Sequence, residues 1–102
     1  MGSRLDLHEE LCVILGTREV YFQPPSSVKM KYPCIRYSMK APNLERANNR
    51  IYKNTNRYEV IVIDQDPDST IADTIQDHFD YATIDRRYTA DNLNHTAITI
   101  YY

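Results

Sequence analysis

Arg57-Tyr58-Glu59-Val60-Ile61-Val62-Ile63-Asp64 is the stretch on which the fold turns. Tyr58, Val60 and Val62 alternate with Glu59, Ile61 and Ile63, and a period of two belongs to a β-strand. Apolar residues fall in both sets, so both faces of this strand are expected to be covered, as at the centre of a sheet.

Outward from that strand, Tyr32-Pro33-Cys34-Ile35-Arg36-Tyr37-Ser38-Met39 reads as a second strand, with Pro33 at its opening where a missing donor is tolerated. Glu19 to Gln23 is β-prone and ends at Pro24-Pro25, which cannot continue a ladder. Before it, Leu5, Leu11, Cys12 and Leu15 share a helical spacing over Arg4 to Leu15, and Gly16 stands where helices stop. On the other side, Asp64-Gln65-Asp66-Pro67-Asp68-Ser69 is a turn that feeds a second helix, with Asp68 or Ser69 as its cap. Ile71, Ala72, Ile75 and Phe79 form that helix's apolar stripe. Tyr81–Tyr88 and Thr96–Tyr102 then make a terminal hairpin across a turn at Thr89–His95. The expected class is α+β, in the order α-β-β-β-α-β-β, with one mostly antiparallel sheet of about five strands. Both helices are expected on one face, leaving the other to Tyr and Thr.

A chain of 102 residues is expected to form a single domain, burying about two-thirds of its unfolded surface without a metal or disulfide staple. Hydrophobic content of 42% against 25% charged residues fits a globular domain, not a disordered chain. Nine Tyr and no Trp suit half-buried sheet faces and interfaces. Apolar runs stay far below the ~18 residues that span a bilayer, so no membrane partner is expected and synthesis is expected in the cytoplasm. Cys12 and Cys34 read as small buried hydrophobes, not as a redox or metal pair.

Charge is split along the chain. Lys29, Lys31, Arg36, Lys40, Arg46, Arg50, Lys53 and Arg57 stand against Glu45 alone, which makes +7. Glu59, Asp64, Asp66, Asp68, Asp73, Asp77, Asp80 and Asp85 follow with no base among them, which makes −8, and the overall −2 conceals the contrast. Segregated by the fold, these blocks would give complementary flanks for self-association; interleaved by antiparallel strands, they would give an ordinary mixed surface.

Catalytic signatures are missing from the sequence: there is no GxxxxGK[ST], GxGxxG, GxSxG or HExxH, and Gly2 and Gly16 are the only glycines. His8, His78 and His95 are scattered, and His78 reads as a partly exposed structural histidine. The acidic turn lacks the glycine and glutamate of a calcium loop. No enzymatic activity, metal or cofactor is therefore expected. Residues 41–56 read as a long basic loop or hairpin arm, with Asn43, Asn48, Asn49, Asn54 and Asn56 among Arg46, Arg50 and Lys53, a chemistry suited to partner contact. A second reading is a single-stranded nucleic-acid-binding module that uses exposed sheet aromatics and the basic 29–57 segment.

Four stretches taken in order carry a resemblance: Tyr32-Pro33-Cys34-Ile35-Arg36-Tyr37, Ala47-Asn48-Asn49-Arg50-Ile51-Tyr52-Lys53, Tyr58-Glu59-Val60-Ile61-Val62-Ile63, and Asp66-Pro67-Asp68 before a helix. Together they resemble the tail-terminator, or tail-completion, proteins of long-tailed bacteriophages, with Asn48 where that family often has Asp. The resemblance implies a structural virion protein at the neck, made in the host cytoplasm, which forms a homo-oligomeric ring, typically a hexamer. Such a ring ends growth of the tail tube and joins tail to head. The implied partners are further copies of itself, the tail tube protein, the head connector and, non-specifically, DNA in the channel. On this reading Arg46, Asn48, Asn49, Arg50 and Lys53 touch neighbouring subunits or the connector, and Asp64, Asp66 and Asp68 form the receiving flank.

Overall fold

The computed structural model describes residues 4–24, 29–40 and 56–102. Among these residues the elements run α1 (Arg4–Leu15), β1 (Val20–Phe22), β2 (Cys34–Lys40), β3 (Arg57–Asp64), α2 (Ile71–His78), β4 (Ala82–Ala90) and β5 (Leu93–Tyr101). The class is α+β, and the strands lie in the order β1-β2-β3-β5-β4. β1 runs parallel to β2, while the other three pairings are antiparallel. β3 occupies the middle, and Tyr58, Val60, Ile61, Val62 and Ile63 are all buried, which is what two covered faces require.

Strand alternation sorts the side chains into two sets. Ile35 and Tyr37 of β2, Tyr58, Val60 and Val62 of β3 and Ile98 and Ile100 of β5 face the helices and pack with Leu7, Leu11 and Cys12 of α1 and with Ala72, Ile75 and Phe79. Both helices therefore cover one face, as their apolar stripes predict. The stripe of α1 differs in one residue. Leu7 is fully buried and Leu5 exposed, because two positions turn a helix by roughly 200° and only one of the pair can share a side with Leu11. Gly16, at φ 85°, ends α1 by donating its N–H to the Cys12 carbonyl at 2.8 Å.

Three expectations are corrected. Neither Asp68 nor Ser69 caps α2: the cap position is Thr70, whose side chain makes no capping bond, and Ser69 Oγ instead accepts from Ile71 N–H at 3.4 Å. The Asp68 N–H is turned back to Asp66 Oδ1 at 2.9 Å, so this segment closes on itself before the helix begins. The terminal hairpin turns on Asp91-Asn92 alone, with φ of 54° and 62°, not on seven residues. Asp and Asn tolerate these left-handed angles, and a two-residue turn with both central residues there matches the twist of the flanking strands. Finally, the second face is not merely Tyr and Thr. Cys34, Ile61, Ile63 and Ala97 are buried there under Tyr21, Met30 and Leu93.

Candidate functional site

The acidic turn is built by local hydrogen bonds. Asp64 Oδ1 accepts from Asp66 N–H at 3.0 Å and Asp66 Oδ1 from Asp68 N–H at 2.9 Å, two successive turns in which a carboxylate replaces a backbone acceptor. Asn94 Nδ2 reaches across from β5 to the Asp64 and Gln65 carbonyls, both at 3.4 Å, and ties the turn to the hairpin. Among the described residues none of the three carboxylates forms an ion pair. A shallow hollow of about 190 Å³ lies beside them, lined in part by Ser69, Arg87, Asn94 and Thr96. No group of three metal-ligating side chains is assembled among the described residues.

Arg46, Asn48, Asn49, Arg50 and Lys53, the other half of the expected interface, lie outside the described residues. The roots of their segment are placed. Lys40 ends β2 opposite Arg57, which begins β3, whereas Asp64 ends β3 beyond the Ile63–Cys34 pair. Seven residue steps of strand, about 24 Å, separate the root at Arg57 from the acidic turn.

The two charge blocks are interleaved where β2 meets β3, since Lys40 Nζ lies 3.5 Å from Glu59. A half-exposed pair of this kind contributes little stability. The face away from the helices carries its own order, which the registers define. Tyr21, Arg36, Ile61, Ala97 and Arg86 form one row across all five strands. In the next row Cys34, Ile63, His95 and Tyr88 lie side by side. The Tyr88 and His95 rings stack at 4.9 Å and 18°, and the Arg86 guanidinium lies 5.0 Å above Tyr88. Tyr88 thus meets both a cation and an imidazole. The sequence hid this cluster because it needs the hairpin register, although the two-residue spacing of Arg86 and Tyr88 already put them on one side of a strand.

The three histidines have three separate environments. His8 Nδ1 lies 2.7 Å from the Tyr37 hydroxyl, which in turn accepts from Arg4 at 3.3 Å. Burial first, then the nearby Arg4 and Arg18 charges, hold His8 below its ordinary pKa, so the neutral ring accepts the tyrosine proton. His78 Nε2 lies 2.8 Å from Glu10 Oε1, a partner from α1 that sequence reasoning missed because it is 68 residues away. The other oxygen of Glu10 accepts from the Tyr102 hydroxyl. Burial pushes the Tyr102 phenol up, and the Glu10 carboxylate adds to this, to about 12.

For Glu10 burial opposes ionisation, but the Tyr102 and His78 hydrogen bonds outweigh it, and its pKa falls below the ordinary 4.5. A carboxylate depressed in the fold stabilises at neutral pH and loses that contribution as pH falls through its folded value. We expect Glu10→Gln to cost about 1 kcal/mol at pH 7, discounted for partial exposure, and nothing at a pH well under the folded value. Urea melts of both proteins at the two pH values measure this, and an equal deficit at both would remove Glu10 ionisation as the cause.

Cys12 and Cys34 are both free and buried, and they lie on opposite faces of the sheet. Burial raises the Cys34 thiol to about 11, which leaves it protonated and unreactive at neutral pH. No helix among the described residues is long and apolar enough to cross a membrane. No protein-family profile, curated protein or solved structure matches the chain.

Proposed function

We propose that this chain is a non-enzymatic structural subunit of a phage neck, which assembles with copies of itself into a ring on the head-proximal end of the tail tube. The ring ends tube growth and presents a surface to the head connector. One observation supports this reading above the rest: the acidic turn and the root of the basic 41–55 segment stand at opposite ends of β3. A ring closes through a heterologous interface, which needs two different and complementary patches on each copy. Carboxylates at Asp64, Asp66 and Asp68 with no cation paired to them among the described residues, set a strand's length from Arg57, where the stretch bearing Arg46, Arg50 and Lys53 joins β3, support that requirement.

The second reading, a module that binds single strands by stacking bases on sheet aromatics, draws less support. Tyr37 and Tyr58 are buried under the helices, and the Tyr88 ring is already engaged by His95 and Arg86.

The test is charge reversal. Arg50→Glu with Lys53→Glu should abolish ring assembly, seen by native mass spectrometry and negative-stain microscopy, while thermal melts show a folded monomer like the parent. Adding Asp66→Lys and Asp68→Lys should restore rings. Rings formed equally well by the double variant and the parent would remove the assignment.

A further inference from the structure

We infer that the sheet face away from the helices is a contact surface for the phosphodiester backbone of a nucleic acid, with Arg36 and Arg86 as its two anchoring groups. What such a face can bind depends on its balance of charge and on which donors are free. Among the described residues it bears three acids: Glu59 pairs with Lys40, while Asp85 accepts from Thr99 Oγ1 at 2.5 Å and Glu19 from the Tyr21 hydroxyl, neutral donors that cancel no charge. Arg36, Arg57 and Arg86 form no ion pair among the described residues. With Lys40 they make four cations against the three acids, and the exposed guanidiniums of Arg36 and Arg86 are the donors that face outward.

Their placement is specific. Arg36 and Arg86 are both exposed and share one row of the sheet, with the buried Ile61 and Ala97 between them. Three strand spacings separate the two, about 14 Å. The floor between them is apolar, made of Ile61, Ile63, Ala97 and Cys34, so it competes for neither guanidinium. Arg86 is held over the Tyr88 ring, and a guanidinium stacked in this way keeps its N–H edges free for phosphate oxygens.

A polyanion fits this arrangement, and an acidic protein face fits it less well, because the donors are spread along a row and not gathered at one pocket. Tyr88 is not offered for base stacking, since its ring already stacks on His95 and carries the Arg86 guanidinium. The contact is to phosphate and is blind to sequence. Identifying the polyanion as DNA passing through the ring rests on the proposed function; the binding itself does not.

Fluorescence anisotropy with a fluorescein-labelled duplex of about 20 base pairs and a labelled oligo-dT of about 20 nucleotides tests this, with sodium chloride varied from about 50 to about 200 mM. The parent should bind both probes with an affinity that falls steeply with salt. Arg36→Ala with Arg86→Ala should weaken binding about tenfold at the lowest salt and reduce the log–log salt slope by about 2, one unit for each phosphate that is no longer neutralised. Arg36→Lys with Arg86→Lys should retain the slope, which separates charge from folding. Arg18→Ala, on the helix side and paired with Glu9, controls for loss of a positive charge elsewhere on the protein and should bind as the parent does.

Four binding results would overturn the inference, and one assembly result given below: no salt-sensitive binding by the parent, equal binding by the double alanine variant, an equal loss in Arg18→Ala, or a preference for oligo-dT that persists at high salt. Ring assembly is read on the same samples by native mass spectrometry. Rings without binding would reject this surface and leave the ring reading intact. Binding without rings would do the reverse. Disappearance of rings in the double alanine variant would assign the face to contact between copies and overturn the nucleic-acid assignment.

Discussion

Ile98→Ala should lower the unfolding free energy by about 3 kcal/mol, the middle of the range for deleting a buried aliphatic side chain, and the melting temperature by roughly 10–20 °C. Ile98 is 0% exposed and sits on β5 opposite both Val60 of β3 and Ile84 of β4, under the helices. Removing three carbons there leaves a cavity that neighbouring strands cannot close, because their spacing is held by backbone hydrogen bonds on both sides. Val13→Ala removes apolar atoms from α1 at a site 81% exposed and should change stability by less than about 0.5 kcal/mol. Thermal melts followed by circular dichroism give both values. Equal effects from the two substitutions would contradict the division between a helix-covered core and an exposed outer side of α1.

Tyr37 is the second position where a large effect is expected, and two substitutions divide it into parts. Its ring is 2% exposed and packs at 5.0 Å from Phe22, 6.1 Å from Tyr58 and 5.6 Å from the His8 ring, so Tyr37→Ala should cost about 4 kcal/mol. Tyr37→Phe keeps the ring and removes the hydroxyl that accepts from Arg4 and donates to His8, and should cost about 1–2 kcal/mol.

The sign of the pH dependence follows from His8, whose pKa is lowered from 6.5 in the fold. The unfolded chain takes up its proton first, so the parent loses stability as pH falls through 6.5 and toward the folded value. Arg4→Gln should weaken that loss, because it removes one of the two positive charges that, after burial, hold the His8 ring neutral. Denaturant melts between about pH 5 and 8 would show it. An unchanged pH dependence in the glutamine variant would remove the Arg4 charge as a cause.

Some of this protein was settled by local order in the chain. The alternation over Arg57–Asp64 is a property of neighbours two apart, and it fixed both the strand and its central place before any partner strand was known. The stripe of Ile71, Ala72, Ile75 and Phe79, the stop at Gly16 and the burial of both cysteines were legible for the same reason. The turn at Asp91-Asn92 was blurred into seven residues because Thr89, Asn94 and His95 are also common in loops, and only pairing with the opposite strand shows that they belong to the ladder.

What the tertiary structure alone decided involves pairs far apart in sequence. Glu10 meets His78 and Tyr102, Tyr37 meets His8, and Arg36 shares a row with Arg86 through two intervening strands. The linear separation of a basic block from an acidic one is lost where β2 meets β3, because antiparallel pairing lays Lys40 beside Glu59, while Asp64 stands at the far end of β3 from Arg57. The physical reason is that periodicity specifies which side of its own element a residue occupies, while strand order and register specify which residues from other elements share that side.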